Sequence, residues 1–426
     1  MRVLWFSPVP PPALCRELGM DLPYGGSWVD STLGSLAAHR ELEIAVAWPH
    51  RNAATLRRLS VAGVQYYEVP DPGWLLSGNG ALRKITNRLE PFLGQTRDRR
   101  AVAECAAVAA DYGPDLVQVF GTEKCYGLVA PLVRPPTVVW IQGLLDVYQH
   151  HYFGSFSPAK ALRGPGVALG YLRMKAEANR ERDIFGRTRY FIGRTRWDRA
   201  HQLRLQPTGR YYDVQECLRP EFYAAPAWTL AGSRKLSVYT TTSPAPWKGT
   251  DVVLRAVALL QRSFPAIHLR VAGVSPADSG VGKSLARLAS QLGITDNVTF
   301  LGVVGAAEIV EELNCARVFA LPSHIENSPN SLAEAQVVGT PVVSAFAGGV
   351  PDMVTDGETG LLFQAGDSSV LALQIARLFT DQRLARDLSE CARSVARQRH
   401  SPDKIAGSLV AAYRDILADD HQEGMR

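Results

Sequence analysis

Glu326 and Glu334, with seven residues between them, lie in the stretch FALPSHIENSPNSLAEAQVVGTPVVSAFAGGVPDMVTDGETGLLF, which runs from Phe319 to Phe363. An apolar run, Val318 to Leu321, reads as a buried strand that breaks at Pro322 into a polar loop carrying His324, Glu326 and Asn327. Ser328 as N-cap and Pro329 at the first helical position predict a helix start, since the missing proline N–H costs nothing there. Such a helix aims the amides of Asn330, Ser331 and Leu332 into the loop, where unpaired N–H groups and the helix dipole favour an anion. Carboxylates beside that anion would repel a diphosphate, so Glu326 and Glu334 suit hydroxyl groups on either side of it. The ligand that fits is a sugar joined through a diphosphate to a nucleoside. Taken alone, the two acids read better as solvated surface charges; their setting changes the odds.

After the helix, Gly339, Thr340 and Pro341 lead into a second strand, Val342 to Ser344, and then Gly348, Gly349, Val350 and Pro351 form another glycine turn. Two successive strand, glycine-loop and helix units place two sets of backbone amides at one edge of a parallel sheet. This combination resembles the donor-binding signature of the retaining glycosyltransferases of family 4. The match is carried by the paired glutamates, the PNSLAEA helix, the GTPVV strand, the GGVPDMV turn and the DGETGLLF ending. The resemblance implies an α/β chain of the GT-B fold, two Rossmann-like doubly wound parallel-sheet domains facing a cleft. It also implies sugar transfer from a nucleotide diphosphate sugar to an acceptor hydroxyl with retention at the anomeric carbon. Bacterial polysaccharide, glycolipid or other glycoconjugate biosynthesis, such as that of cell wall or capsule, is the setting it points to.

The same resemblance assigns roles elsewhere. Relatives grip the diphosphate with a Gly-Arg at the end of the second domain's first strand and a Lys-Gly some residues later. Here Lys248 and Gly249 are kept after the strand Lys235 to Thr240, but Thr241, Thr242 and Ser243 stand where the arginine is expected. Their hydroxyls or amides, Thr242 foremost, are expected to substitute. Glu326 is assigned to the sugar hydroxyls and Glu334 to the ribose hydroxyls, with Gly349 in the second amide set. In the first domain, Gly25 and Gly26 let a ligand approach the first loop closely. Arg194, after the strand in YFIGRTRWDRA, is expected to face the substrate, with a structural ion pair nearly as well supported; Glu123 is a polar candidate. Gln142 occupies the strand end where relatives carry a histidine, and an amide cannot shuttle a proton near neutral pH. Glu326, Lys248 and Gln142 are thus the catalytic candidates.

With 426 residues the chain is too long for one ordinary core. The expected division is an acceptor-side domain over 1–223, a linker over 224–234, a donor-binding domain over 235–400 and a C-terminal helix over 401–426 packing across both. A hydrophobic share of 46% and a charged share of 20% are those of a soluble globular chain. No apolar run approaches the roughly 18 residues of a membrane span, and the opening MRVLWFSPVPPP reads as a first strand and loop rather than a signal peptide. Six cysteines without paired spacing argue against zinc and disulfides and fit a cytoplasmic chain. No metal motif is visible, so a metal-independent reaction is expected, with no cofactor beyond the nucleotide-sugar co-substrate.

Through Arg219 there are 28 Lys and Arg against 20 Asp and Glu, and 18 against 21 thereafter. That asymmetry points to a carbohydrate, lipid-linked or small-molecule acceptor bearing anionic groups and to peripheral contact with an anionic inner membrane face, against an equally weighted reading as an ordinary surface. Nothing points to nucleic acid. The basic amphipathic stretch Leu82 to Leu93 reads first as a packed helix and second as a membrane-surface one. The mixed charges of Arg173 to Arg189 read as a solvated helix. Two other classes share these features: an epimerase or phosphorylase of the same fold, and a non-catalytic sugar-nucleotide-binding scaffold.

Overall fold

The computed structural model describes residues 1–20, 27–50, 55–70, 98–155, 158, 165–277 and 280–424. Its strands are β1 (Arg2–Phe6), β2 (Glu43–His50), β3 (Arg57–Val61), β4 (Val64–Pro70), β5 (Leu116–Phe120), β6 (Thr137–Trp140), β7 (Tyr190–Gly193) and β8 (Arg210–Asp213), followed by β9 (Ser237–Thr241), β10 (His268–Ala272), β11 (Val298–Gly302), β12 (Val318–Leu321), β13 (Val342–Phe346) and β14 (Leu361–Gln364). The first eight form one sheet in the order β3-β4-β2-β1-β5-β6-β7-β8 and the last six another, β11-β10-β9-β12-β13-β14. All pairings are parallel except β3 with β4. Central strands such as β5 and β12 are buried at every position, because helices cover both faces of a parallel sheet.

The parallel strands of each sheet reverse their order once, between β1 and β5 in the first and between β9 and β12 in the second. Those reversals are the places where open α/β sheets hold ligands beyond the carboxyl ends of their strands. The doubly wound fold class read from the sequence is therefore the one observed, with the antiparallel β3 as an addition that its short polar run did not announce.

The chain divides into two compact units, one of residues 1–149, 162–217 and 402–426, the other of residues 150–161 and 218–401. This corrects the expected boundaries in three ways. The stretch 224–234 is not a linker: Trp228 is buried in the core of the second unit, its amide donating to the Val338 carbonyl (3.0 Å) and its indole Nε1 to that of Ala316 (2.8 Å). The C-terminal helix Pro402–Gly424 belongs to the first unit, where the Tyr413 hydroxyl donates to Gln118 Oε1 (2.6 Å) and accepts from Trp5 Nε1 (3.1 Å). Residues 150–155 interrupt the first unit in sequence yet pack with the second.

Candidate functional site

In the second unit, three neighbouring strands end in loops that converge. After β9 the chain turns through Pro246–Lys248 to Gly249, whose φ of +66° suits glycine, and enters the helix Thr250–Gln261. After β12 it runs through Pro322 to Pro329 and into the helix Asn330–Val338. These two loops flank the β9/β12 reversal, and Lys248 Nζ meets Glu326 Oε1 across it at 2.6 Å. The spacing is fixed by backbone contact: a Cβ on Gly249 would lie 2.1 Å from the Pro322 carbonyl oxygen, and the His324 amide donates to the Trp247 carbonyl (2.7 Å). From β13, Gly349 donates its amide to the Glu326 carbonyl (3.0 Å), and Gly348, at φ +55°, lets that carbonyl approach where a Cβ would lie 1.9 Å away.

The structure thus brings Lys248, Glu326 and Gly349 together, but revises several expected roles. Gly349 acts through the loop, since its amide already holds Glu326. The helix N-cap is Pro329 with no side-chain cap bond, while Ser328 Oγ lies 3.6 Å from Met353 Sδ. The Leu332 amide donates to the Pro329 carbonyl (3.0 Å) and its side chain is in the core, so it does not point at the loop. Asn330 and Ser331 remain half-buried in the first turn. Thr242 turns inward: its hydroxyl shares a 2.6 Å hydrogen bond with that of Thr250, and its amide donates to the Ala272 carbonyl (2.8 Å).

Glu334 faces a partner that sequence reasoning missed. Arg219 donates to its Oε1 from Nη2 (2.8 Å) and Nε (3.2 Å), with the guanidinium 4.7 Å from the Phe222 ring centroid. Burial pushes the Glu334 carboxyl up to about 7 even though Arg219 acts to lower it. The LRP sequence before a helix was the available signal, a cation immediately ahead of a helix-starting proline. A second missed contact is Ser155 Oγ with His324 Nε2 (2.9 Å), beside Gly154, whose Cβ position abuts the Pro246 carbonyl. Burial pulls the His324 imidazole below its ordinary value.

In the first unit, Arg194 is enclosed rather than presented to a ligand. Its side chain is 4% exposed, pairs with Glu216 at 2.5 Å, and donates from Nη2 to the Gln142 carbonyl (2.9 Å). The half-buried Gln142 is positioned by that backbone bond at the end of the β6 loop. Glu181, on the helix Pro165–Arg187, is fully buried, so the stretch Arg173 to Arg189, read as a solvated helix, has an interior face as well. It accepts from the Thr122 hydroxyl and from the amides of Leu145 (3.0 Å) and Asp146 (2.8 Å). Burial nevertheless raises it to about 7, and also raises neighbouring Glu123. Gly25, Gly26 and the stretch Leu82 to Leu93 lie outside the described residues.

Residues 235–395, which include Lys248, Glu326, Gly349 and Glu334, match the family model described as glycosyl transferases group 1. This segment is similar to group 1 glycosyltransferases. Curated proteins match as well: the D-inositol 3-phosphate glycosyltransferase of Saccharomonospora viridis is 39% identical over 179 residues, 41% of this chain and 41% of that protein. The enzyme of the same name from Mycobacterium leprae strain Br4923 is 38% identical over 179 residues, 41% of this chain and 40% of the relative. The match therefore spans about two fifths of the length of these relatives. Among solved structures, sucrose-phosphate synthase from Thermosynechococcus elongatus aligns with a TM-score of 0.74 over 98% of this chain and 100% of its own, at 18% identity. Anabaena HepE in complex with UDP and glucose aligns with a TM-score of 0.67 over 97% and 99%, at 17% identity. At those identities the likeness concerns the fold, and the fold is GT-B.

Proposed function

We propose that this chain transfers a sugar from a nucleotide diphosphate sugar to an acceptor hydroxyl, with retention at the anomeric carbon. The observation that carries the reading is the Lys248–Glu326 pair at the β9/β12 reversal, inside the segment that matches the group 1 family. A diphosphate entering between these loops draws the Lys248 ammonium to its oxygens. The first turn of the Asn330 helix adds its dipole, and the two together stabilise the charge that develops on the leaving group. Glu326 is then free to accept hydrogen bonds from the sugar hydroxyls, while Glu334 and Arg219 hold the ribose end. The departing diphosphate oxygen takes the acceptor proton on the face where the new bond forms, so no carboxylate nucleophile, metal ion or cofactor is required. Gln142 serves as a hydrogen-bonding group at the strand end and not as a proton carrier.

HepE was crystallised with UDP and glucose, which makes a uridine donor the first to try. The basic first half of the chain, with its 28 Lys and Arg against 20 Asp and Glu, favours an acceptor bearing phosphate, whether soluble or lipid-linked, met in the cytoplasm or at the inner membrane face. The test is thermal shift of the whole chain with nucleoside diphosphates and their sugars, in the presence of a metal chelator. A ligand at 100 times its Kd adds about 2.7 kcal/mol, a readable shift. A response to one base defines the donor, and anomeric analysis of the product then checks retention. No response to any nucleotide overturns the reading.

A further inference from the structure

Away from the donor loops, the amino edge of the six-stranded sheet holds a recess of about 470 Å³ walled by Arg234, Lys235, Ser237, His268 and Arg270, with no acidic side chain in its lining. Arg270 donates from Nε (2.5 Å) and Nη2 (2.6 Å) to Glu312, and Arg234 stands 3.9 Å from the same carboxylate. One carboxylate therefore faces two guanidinium groups, with Lys235 additional to both. His268 Nε2 contacts the Thr299 hydroxyl at 2.8 Å, and burial together with Arg270 and Arg234 disfavours its charged form.

Arg317 does not line the recess itself but stands next to this wall, behind Ser237. Its amide donates to the Ser237 carbonyl (3.0 Å), and the strand register sets Ser237 between Arg317 and His268, on one face of the sheet. The Arg317 residue is 5% exposed, its Nε is buried without a hydrogen-bond partner, and no described carboxylate pairs with it; Ser237 Oγ is likewise buried without a partner. A guanidinium whose Nε is enclosed and which has no carboxylate beside it gains from a counter-charge that reaches it. The excess of cations here also runs against its surroundings, because the chain after Arg219 has 18 Lys and Arg against 21 Asp and Glu.

We propose that this recess binds the phosphate group of a small soluble phosphorylated molecule, with Arg317 as the inner ion-pairing residue, Ser237 as a hydroxyl donor, and Arg234 and Lys235 at the mouth. Guanidinium groups offer paired N–H donors that match phosphate oxygens, and a concave recess suits a small anion better than a flat membrane. The donor loops follow the carboxyl ends of β9, β12 and β13, whereas the recess lies at the amino ends of β9 and β10, so this is a second site, and its argument does not depend on the proposed transfer reaction.

The test is calorimetric titration of the whole chain with inorganic phosphate and with glycerol phosphate, in a Lys248→Met background that removes the donor-loop cation. Binding is expected to persist in that background and to weaken at least tenfold on adding Arg317→Met. The melting temperature without phosphate should be unchanged or higher, because a partly enclosed charge without a carboxylate partner has been removed. Arg234→Ser, at a half-exposed position, should weaken binding severalfold and serves if Arg317→Met does not fold. Phosphate binding that vanishes with Lys248→Met alone, or that is unaffected by both arginine substitutions, overturns the proposal. So does Arg317-dependent binding to phosphatidylglycerol vesicles without any response to the soluble probes, which would assign the recess to a lipid headgroup.

Discussion

Charges gather at the carboxyl edges of both sheets, but the two units enclose them differently. In the second unit Lys248 keeps 28% of its side chain exposed while it meets Glu326, so water and ligand can reach the ammonium. In the first unit Arg194 and Glu216 are 4% and 1% exposed, and the guanidinium also holds the Gln142 carbonyl. A pair left partly solvated can exchange partners with a ligand. A pair closed off from water fixes a loop, because separating it would leave a charge unpaired in the interior.

Breaking the enclosed pair should have the larger effect on stability. Arg194→Met strands Glu216 in the core and is expected to cost roughly 3–5 kcal/mol, read as a lowered midpoint in urea unfolding. Lys248→Met should show the reverse profile, with kcat/KM for transfer falling about 10²–10³-fold and the unfolding midpoint moving far less. Comparable unfolding losses for the two variants would erase the distinction.

Glu181 and Glu334 sharpen the comparison, since burial pushes each to about 7, one in each unit. A carboxyl whose folded value lies above its unfolded one binds its proton more tightly when folded. Its unfavourable contribution is therefore absent below the ordinary carboxylate range, grows as pH rises towards 7, and is complete above it. Glu181→Gln and Glu334→Gln should each flatten part of the decline in stability between about pH 4.5 and 7. Only Glu334→Gln should also flatten the pH dependence of nucleotide affinity, which in the parent protein rises towards neutral pH as the carboxylate becomes available to hydroxyls. The smallest expected effect is shared by both units. Thr195→Ala removes the capping box at the helix Arg196–Leu205, and Asp367→Ala removes the cap accepting from the Ser369 and Val370 amides. Each should cost about 1 kcal/mol in chemical denaturation, without altering nucleotide binding.

The donor loops were legible because their residues act close to where they stand in the chain. Strand, glycine turn and helix follow one another within a few residues, so the Glu326 loop, Gly348 and Gly349 can be placed from local propensity alone. Lys248 was legible through its Lys-Gly step after a strand. The first unit was less so, since Arg194 and Glu181 are ordinary charged residues in sequence and become interior groups only when a helix or strand packs over them. The apolar content of Ala224 to Ser233 was outweighed by its proline and glycine, and Trp228 was the overlooked anchor.

By itself the sequence determined the strand, glycine-turn and helix succession of a parallel α/β chain, which depends on short-range periodicity and turn chemistry, while the paired glutamates were singled out by the family resemblance. Tertiary structure alone decided that Glu326 is met by Lys248, 78 positions away, and Glu334 by Arg219, 115 positions away. It also turned Thr242 inward and left Arg317 Nε without a partner among the described residues. Ion pairing and burial depend on which distant strands lie side by side, and strand order is a property of the folded sheet that no local stretch of sequence contains.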